Sequence, residues 1–208
     1  MFGRLRASMQ RLFTPLASLL VRRGVSPDAV TITGTMIVTV LALTLLPTGH
    51  LTLGALLIGL FVLTDSLDGV MARVSGRSGP WGAFLDSTLD RVSDGAVFAG
   101  ITLWFVLHAD EPWAAAGTVV ALACLVLGSV VPYARARAES VGATAAVGIA
   151  ERSDRLVLAL VPTAFVQVGL PVAVLVVVLG LLALASLVTV AQRVLTVRAQ
   201  LLPTTEEA

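Results

Sequence analysis

Long apolar runs, separated by connections that are in turn rich in arginine and free of it, leave this chain few ways to fold. The runs lie near residues 28–46, 52–75, 82–107, from 113 past Pro132, 154–169 and 171–199. Most approach the roughly 20 residues that a helix needs to cross a hydrocarbon core. In that medium a backbone must satisfy its own hydrogen bonds, so helices are the expected element. With 57% hydrophobic and 13% charged residues, the composition is far from that of a soluble domain. The expected fold is an all-α integral membrane bundle of six transmembrane helices, preceded by an interfacial amphipathic helix.

All fourteen basic residues are arginines, in residues 4–23, 73–91, 135–155 and 193–198. The connections near 47–52, 107–113 and 169–171 hold none. By the positive-inside rule the Arg-rich side is cytoplasmic, which places both termini there, in a cell inner (plasma) membrane. Residues 1–23 set Leu5, Met9, Leu12, Leu16 and Leu19 at helical spacing among arginines, as in a helix lying on a leaflet. A signal peptide does not fit, because Arg22-Arg23 stands where a small-residue cleavage site belongs. Residues 24–200 then form one six-helix domain and 201–208 a frayed polar tail. Cys124 is the single cysteine and sits in an apolar run, which excludes an internal disulfide and reads as packing.

Against this apolar background stands the stretch from Asp65 to Asp90. Asp65 and Asp68 are three residues apart, and Asp86 and Asp90 are four apart, so each pair shares a helix face. Uncompensated, each charge at the edge of an apolar run costs several kcal/mol. Two such helices side by side would aim four carboxylates at one point, where cations relieve their repulsion. Hard oxygen donors without His or Cys suit Mg²⁺, Mn²⁺ or Ca²⁺ rather than zinc. Gly69, Ala72 and Gly82 leave room for close helix or ligand approach, and Arg73 suits a phosphate. Ser78 lies in a turn-rich connector that either faces a diphosphate or merely joins two helices. A structural ion cluster, or a divalent-cation or proton path, is the competing account of the acids.

The full pattern, D-x2-D-G-x2-A-R-x8-G-x3-D-x3-D, resembles the signature of the CDP-alcohol phosphotransferases at all eight specified positions. The resemblance implies two Mg²⁺ (or Mn²⁺) ions held by Asp65, Asp68, Asp86 and Asp90, with Asp90 the candidate base. It also implies CDP-diacylglycerol binding by Gly69, Ala72, Arg73 and Gly82, with Ser78 as a further candidate. Thr31 joins them, because Pro27-x-x-x-Thr31 matches a segment that lines the family's cytidine pocket. Ser26 or Asp28 could cap the first long helix, and Asp94, one turn past Asp90, is expected to pair with Arg91 or a neighbouring helix.

Arg135, Arg152, Arg155 and Arg193 come from the arginine-rich ends of three helices. Converged, they would grip a phosphate; apart, they simply reach the headgroups. Tyr133-x-Arg135-Ala-Arg137-Ala-Glu139, Glu151-Arg152-x-x-Arg155-Leu and Gln192-Arg193-x-x-Thr196-Val resemble the actinobacterial phosphatidylinositol phosphate synthase branch of that family. So does Asp90-Arg-Val-Ser-Asp-Gly-Ala-Val-Phe98. That likeness implies myo-inositol 1-phosphate as acceptor, held by these arginines, and a homodimer in the membrane lipid. A phosphatidylglycerophosphate synthase, with glycerol 3-phosphate as acceptor, is the alternative within the family. A transporter is the alternative outside it.

Overall fold

The computed structural model describes residues 13–64, 66–76, 79–149 and 152–202, and every regular element among them is a helix. The expected amphipathic helix is described from residue 13 onward, as α1 (Phe13–Arg22). Its Ala17 is buried against Leu67, Val70 and Met71. Gly24, at φ +81°, turns the chain into α2 (Pro27–Leu45). There Ser26, not Asp28, is the cap: its Oγ accepts from the Ala29 amide at 3.2 Å, with Pro27 in the first turn.

Next come α3 (Leu51–Thr64) and α4 (Ser66–Val74), which together make one 24-residue apolar span. The remaining helices are α5 (Pro80–Leu107), α6 (Ala114–Ser140), α7 (Arg152–Val166) and α8 (Val172–Leu201). Among the described residues, four spans are long and apolar enough to cross a membrane: α2, α3–α4, α6 and α8. The expectation was six. At 15 residues, α7 is shorter than a full crossing, and α5 bears Asp86, Asp90, Arg91 and Asp94 between its start and its middle. The protein is thus a multi-helix, membrane-type bundle whose six helical segments match the six apolar runs.

Large side chains such as Leu56, Val119 and Leu181 are more than 60% exposed, as suits a lipid-facing surface. The interior is built from Ala42, Leu46, Ile58, Phe98, Phe105 and Leu179. Helices α2, α5, α6 and α8 form a packed series, with α7 closing against α3 and α8. Small residues set the spacing. A Cβ on Gly100 would overlap the Ala42 carbonyl oxygen, and one on Gly117 would overlap the Phe105 ring. At the end far from the acidic motif, Gln167 joins α7 to α3: it accepts from the Thr52 amide at 2.8 Å and donates to the Gly49 carbonyl at 2.6 Å. His50 is an exposed loop residue there, 3.1 Å from the Thr48 hydroxyl.

Candidate active site

The predicted functional positions that are described fall on α2, α4, α5, α6, α7 and α8. Helices α4 and α5 both pack against α2. On α4, Asp68 is only 9% exposed. The Thr31 hydroxyl donates to its Oδ2 at 2.5 Å, and the Gly69 amide to its Oδ1 at 2.5 Å. A buried carboxylate needs such donors, because its desolvation would otherwise cost several kcal/mol. Thr31 and Asp68 also line a cavity of about 390 Å³, walled by Val25, Ala29, Gly34 and Leu67. That volume lies in the range of small-molecule sites.

Gly69 and Ala72 are half-buried and Arg73 is exposed. The Arg73 side chain folds back along the helix, so that a Cβ on Gly69 would stand 3.9 Å from its Nη1. A bare stretch of backbone beside a guanidinium is a fitting seat for phosphate oxygens. Gly82 lies on an open face, with nothing within 4 Å of an added Cβ. One turn further along α5, Asp86 is exposed. Asp90 is half-buried, with Arg91 Nη2 at 3.7 Å from its Oδ2.

Among the described residues, no three His, Cys, Asp or Glu side chains stand close enough together to hold a metal ion. Asp68, Asp86 and Asp90 therefore share an end of the bundle without closing into one ligand set. Asp65 and Ser78 lie outside the described residues, as does the side chain of Arg152. The donors that are described are all oxygens, the chemistry of Mg²⁺ and Mn²⁺ sites.

The arginines divide. Arg193 donates through Nε to the Val147 carbonyl at 2.9 Å and through Nη1 to the Val131 carbonyl. Val131 is one turn before Arg135, and Arg193 is near enough to Arg135 and Glu139 to feel their charges. Arg135 is exposed and donates to Glu139 at 3.0 Å. These two arginines lie near each other. Arg155 is differently placed: it is 3% exposed, 3.4 Å from Asp94, and donates to the Gly128 carbonyl at 3.1 Å.

The reason is Pro132. Without an N–H it cannot serve the carbonyl four residues back, which is that of Gly128, and Arg155 supplies the missing donor. In the structure Arg155 is thus engaged in the core rather than grouped with Arg135 and Arg193. Asp94 meets both of its expected partners, with Arg91 at 3.6 Å and Arg155 on the neighbouring helix. Sequence reasoning missed this clamp, although a proline inside an apolar helix signals an orphaned carbonyl four residues earlier. It also missed Trp81, whose indole N–H donates to Asp28 at 3.0 Å and ties the starts of α5 and α2.

A donor-held buried carboxylate, a cavity beside it and two neighbouring arginines are parts that a transferase of phosphorylated substrates would use. The chain belongs to the CDP-alcohol phosphatidyltransferase family, whose model matches residues 24–196. It is similar to the phosphatidylinositol phosphate synthase of Streptomyces avermitilis, at 48% identity over 93% of this chain and 80% of that protein. The Mycobacteroides abscessus synthase of the same name is 46% identical over 93% of this chain and 86% of its own length. Among solved structures, the Mycobacterium tuberculosis phosphatidylinositol phosphate synthase with CDP-DAG bound aligns at TM-score 0.84 and 43% identity, covering 90% of this chain and 94% of that one. The same enzyme in complex with manganese and citrate aligns at TM-score 0.82 and 43% identity, covering 89% and 88%.

Proposed function

We propose that this protein transfers the phosphatidyl group of CDP-diacylglycerol to the hydroxyl of myo-inositol 1-phosphate, releasing CMP and forming phosphatidylinositol phosphate. The observation that supports this most is the likeness, over nine-tenths of the chain, to synthases of that name, one of them with CDP-DAG bound. The complete acidic motif and the Arg135–Arg193 pair at the same end of the bundle agree with it.

In this reading the 390 Å³ cavity beside Thr31 and Asp68 receives the nucleotide part of the donor. Gly69, Ala72, Arg73, Ser78 and Gly82 flank its diphosphate. Arg135 and Arg193, with Arg152, hold the acceptor's phosphate, while Arg155 braces the helices that present them. Asp65, Asp68, Asp86 and Asp90 would hold two Mg²⁺ or Mn²⁺ ions, which neutralise the diphosphate and favour CMP as the leaving group. Asp90 takes the proton from the acceptor hydroxyl as its oxygen attacks the β-phosphorus. The bond from phosphorus to the bridging oxygen then breaks, and CMP leaves with that oxygen. Six crossings, cytoplasmic termini, a cytoplasmic motif end and a homodimer in a cell inner membrane complete the proposal.

The test uses purified protein with Mg²⁺ and CDP-diacylglycerol, following CMP release across a panel of acceptors. Release is expected with inositol 1-phosphate and not with inositol. Equal turnover with unphosphorylated inositol would reject the phosphate-acceptor reading, and a preference for glycerol 3-phosphate would replace it with a phosphatidylglycerophosphate synthase.

A further inference from the structure

A second cavity, of about 450 Å³, runs along the seam between the last turns of α6 and α8. Its walls are apolar, formed by Val130, Ala134, Val190, Val194 and Val197. Arg137 from α6 and Arg198 from the last turn of α8 also line it, together with Tyr133, which is 65% exposed. Arg193 reaches the seam too; two of its five donors go to the Val131 and Val147 carbonyls, and the others are assigned above to the acceptor phosphate. Apart from Arg193, the groove shares no residue with the acceptor site proposed above. Arg135 and Arg137 are two residues apart, which at 3.6 residues per turn turns their side chains roughly 200° from each other. Arg135 pairs with Glu139 on one flank of α6, and Arg137 faces the groove on the other.

An apolar slot along two membrane helices fits a hydrocarbon chain. Two exposed guanidinium groups and a tyrosine where those helices end fit the level of a phospholipid headgroup. Arg137 spends one donor on the Ser140 hydroxyl, at 3.2 Å, and its planar fork has others. Contact with Arg137 and Arg198 together would bridge α6 and α8 through one phosphate, which general attraction of separate arginines to the membrane surface does not do. We infer that this groove binds one anionic phospholipid, its phosphate between Arg137 and Arg198 and an acyl chain along the valines. Its two positive charges match the headgroup's negative one, whereas a zwitterionic lipid would bring a cation to the same place.

The experiment equilibrates full-length protein with micelles holding equal amounts of dioleoyl-phosphatidylglycerol and dioleoyl-phosphatidylcholine, then counts retained lipid by native mass spectrometry. One phosphatidylglycerol per chain is expected, in preference to phosphatidylcholine. The double variant Arg137→Gln/Arg198→Gln should weaken its retention about thirtyfold, from roughly 1 kcal/mol per arginine at 1.4 kcal/mol per tenfold. The matching double lysine variant should restore most of it. Val194→Trp, which fills the slot at an exposed position and leaves the charges in place, should also expel the lipid and decides the matter if the glutamine variant does not fold. CMP release is expected to continue in all these variants. Unchanged phosphatidylglycerol retention in the glutamine and tryptophan variants would overturn the inference. So would displacement of the lipid by equimolar glycerol phosphate, which would mean a site for soluble phosphate, or loss of a dimer with no lipid ever retained, which would mean a subunit interface.

Discussion

Removing Asp94 should show how strongly this bundle depends on one carboxylate outside the family motif. Asp94 and Arg155 have side chains 7% and 3% exposed, so Asp94→Leu leaves a guanidinium charge in the core without that carboxylate. Breaking a buried pair from one side costs about 3–5 kcal/mol. Arg155 keeps its bond to the Gly128 carbonyl, so the lower figure, about 3 kcal/mol, is expected. For a chain of this size that corresponds to roughly 6–12 °C in Tm, at about 2–4 °C per kcal/mol. Arg155→Met alone leaves the Gly128 carbonyl unserved behind Pro132 and should cost about 1–3 kcal/mol, since Asp94 retains Arg91. The double variant replaces a charge pair by apolar bulk and should be less destabilised than the two single changes added together, with a coupling of at least about 1 kcal/mol. Tryptophan fluorescence during heating of the detergent-purified protein measures all three. A loss under about 2 °C for Asp94→Leu, or strict additivity in the double variant, would refute the clamp.

Three further outcomes follow from the same geometry. Asp86→Asn should reduce CMP release by about a thousandfold, the equivalent of roughly 4 kcal/mol of lost charge stabilisation, with Tm nearly unchanged because the side chain is exposed; substantial residual turnover would remove Asp86 from the metal set. Arg193→Ala should raise the acceptor KM by about ten- to a hundredfold through loss of a charge-assisted contact, with little change in the KM for CDP-diacylglycerol; the opposite pattern would sink its assignment to the acceptor. Gly100→Ala should destabilise by about 1–3 kcal/mol, because its methyl group meets the Ala42 carbonyl rather than a flexible side chain, and an unchanged Tm would show that α2 and α5 have slack.

The helical segments were legible to within about three residues, apart from the division of α3 from α4, because a bilayer-type chain announces them twice, by apolar length and by the polar breaks between runs. Pro27, Pro80 and the far-end turn at residues 47–50 set boundaries that local chemistry alone explains. Alternating helix directions also account for Thr31 on α2 meeting Asp68 on α4. What spacing could not supply was the distance between helices. Asp86 and Asp90 share a face of α5 by helical geometry, yet how closely α4 approaches α5 depends on α2, against which both rest. The same holds for Gly100 and Gly117: their sequence neighbourhoods are ordinary, and only the facing carbonyl and ring reveal why no side chain fits.

Asp90 and Asp94 show why residue type underdetermines role in such a protein. They stand one turn apart on one helix, flanked by the same arginine, Arg91. Asp90 lies on the half of α5 that begins at Pro80, and its side chain keeps 15% of its surface exposed. Asp94 falls where α5 and α7 meet, and Arg155 reaches it from the far side. A carboxylate that must bind an ion or move a proton needs an open approach, whereas one that joins helices needs its charge matched within the fold. Arg155 follows the same logic from the other side. Its charge would serve a phosphate, but a proline on α6 had already created a carbonyl in want of a donor, within reach of that guanidinium. The position of Pro132 therefore bears on which arginines remain available to a substrate, and shifting the proline by one residue along α6 would move the orphaned carbonyl away from Arg155 and loosen the clamp.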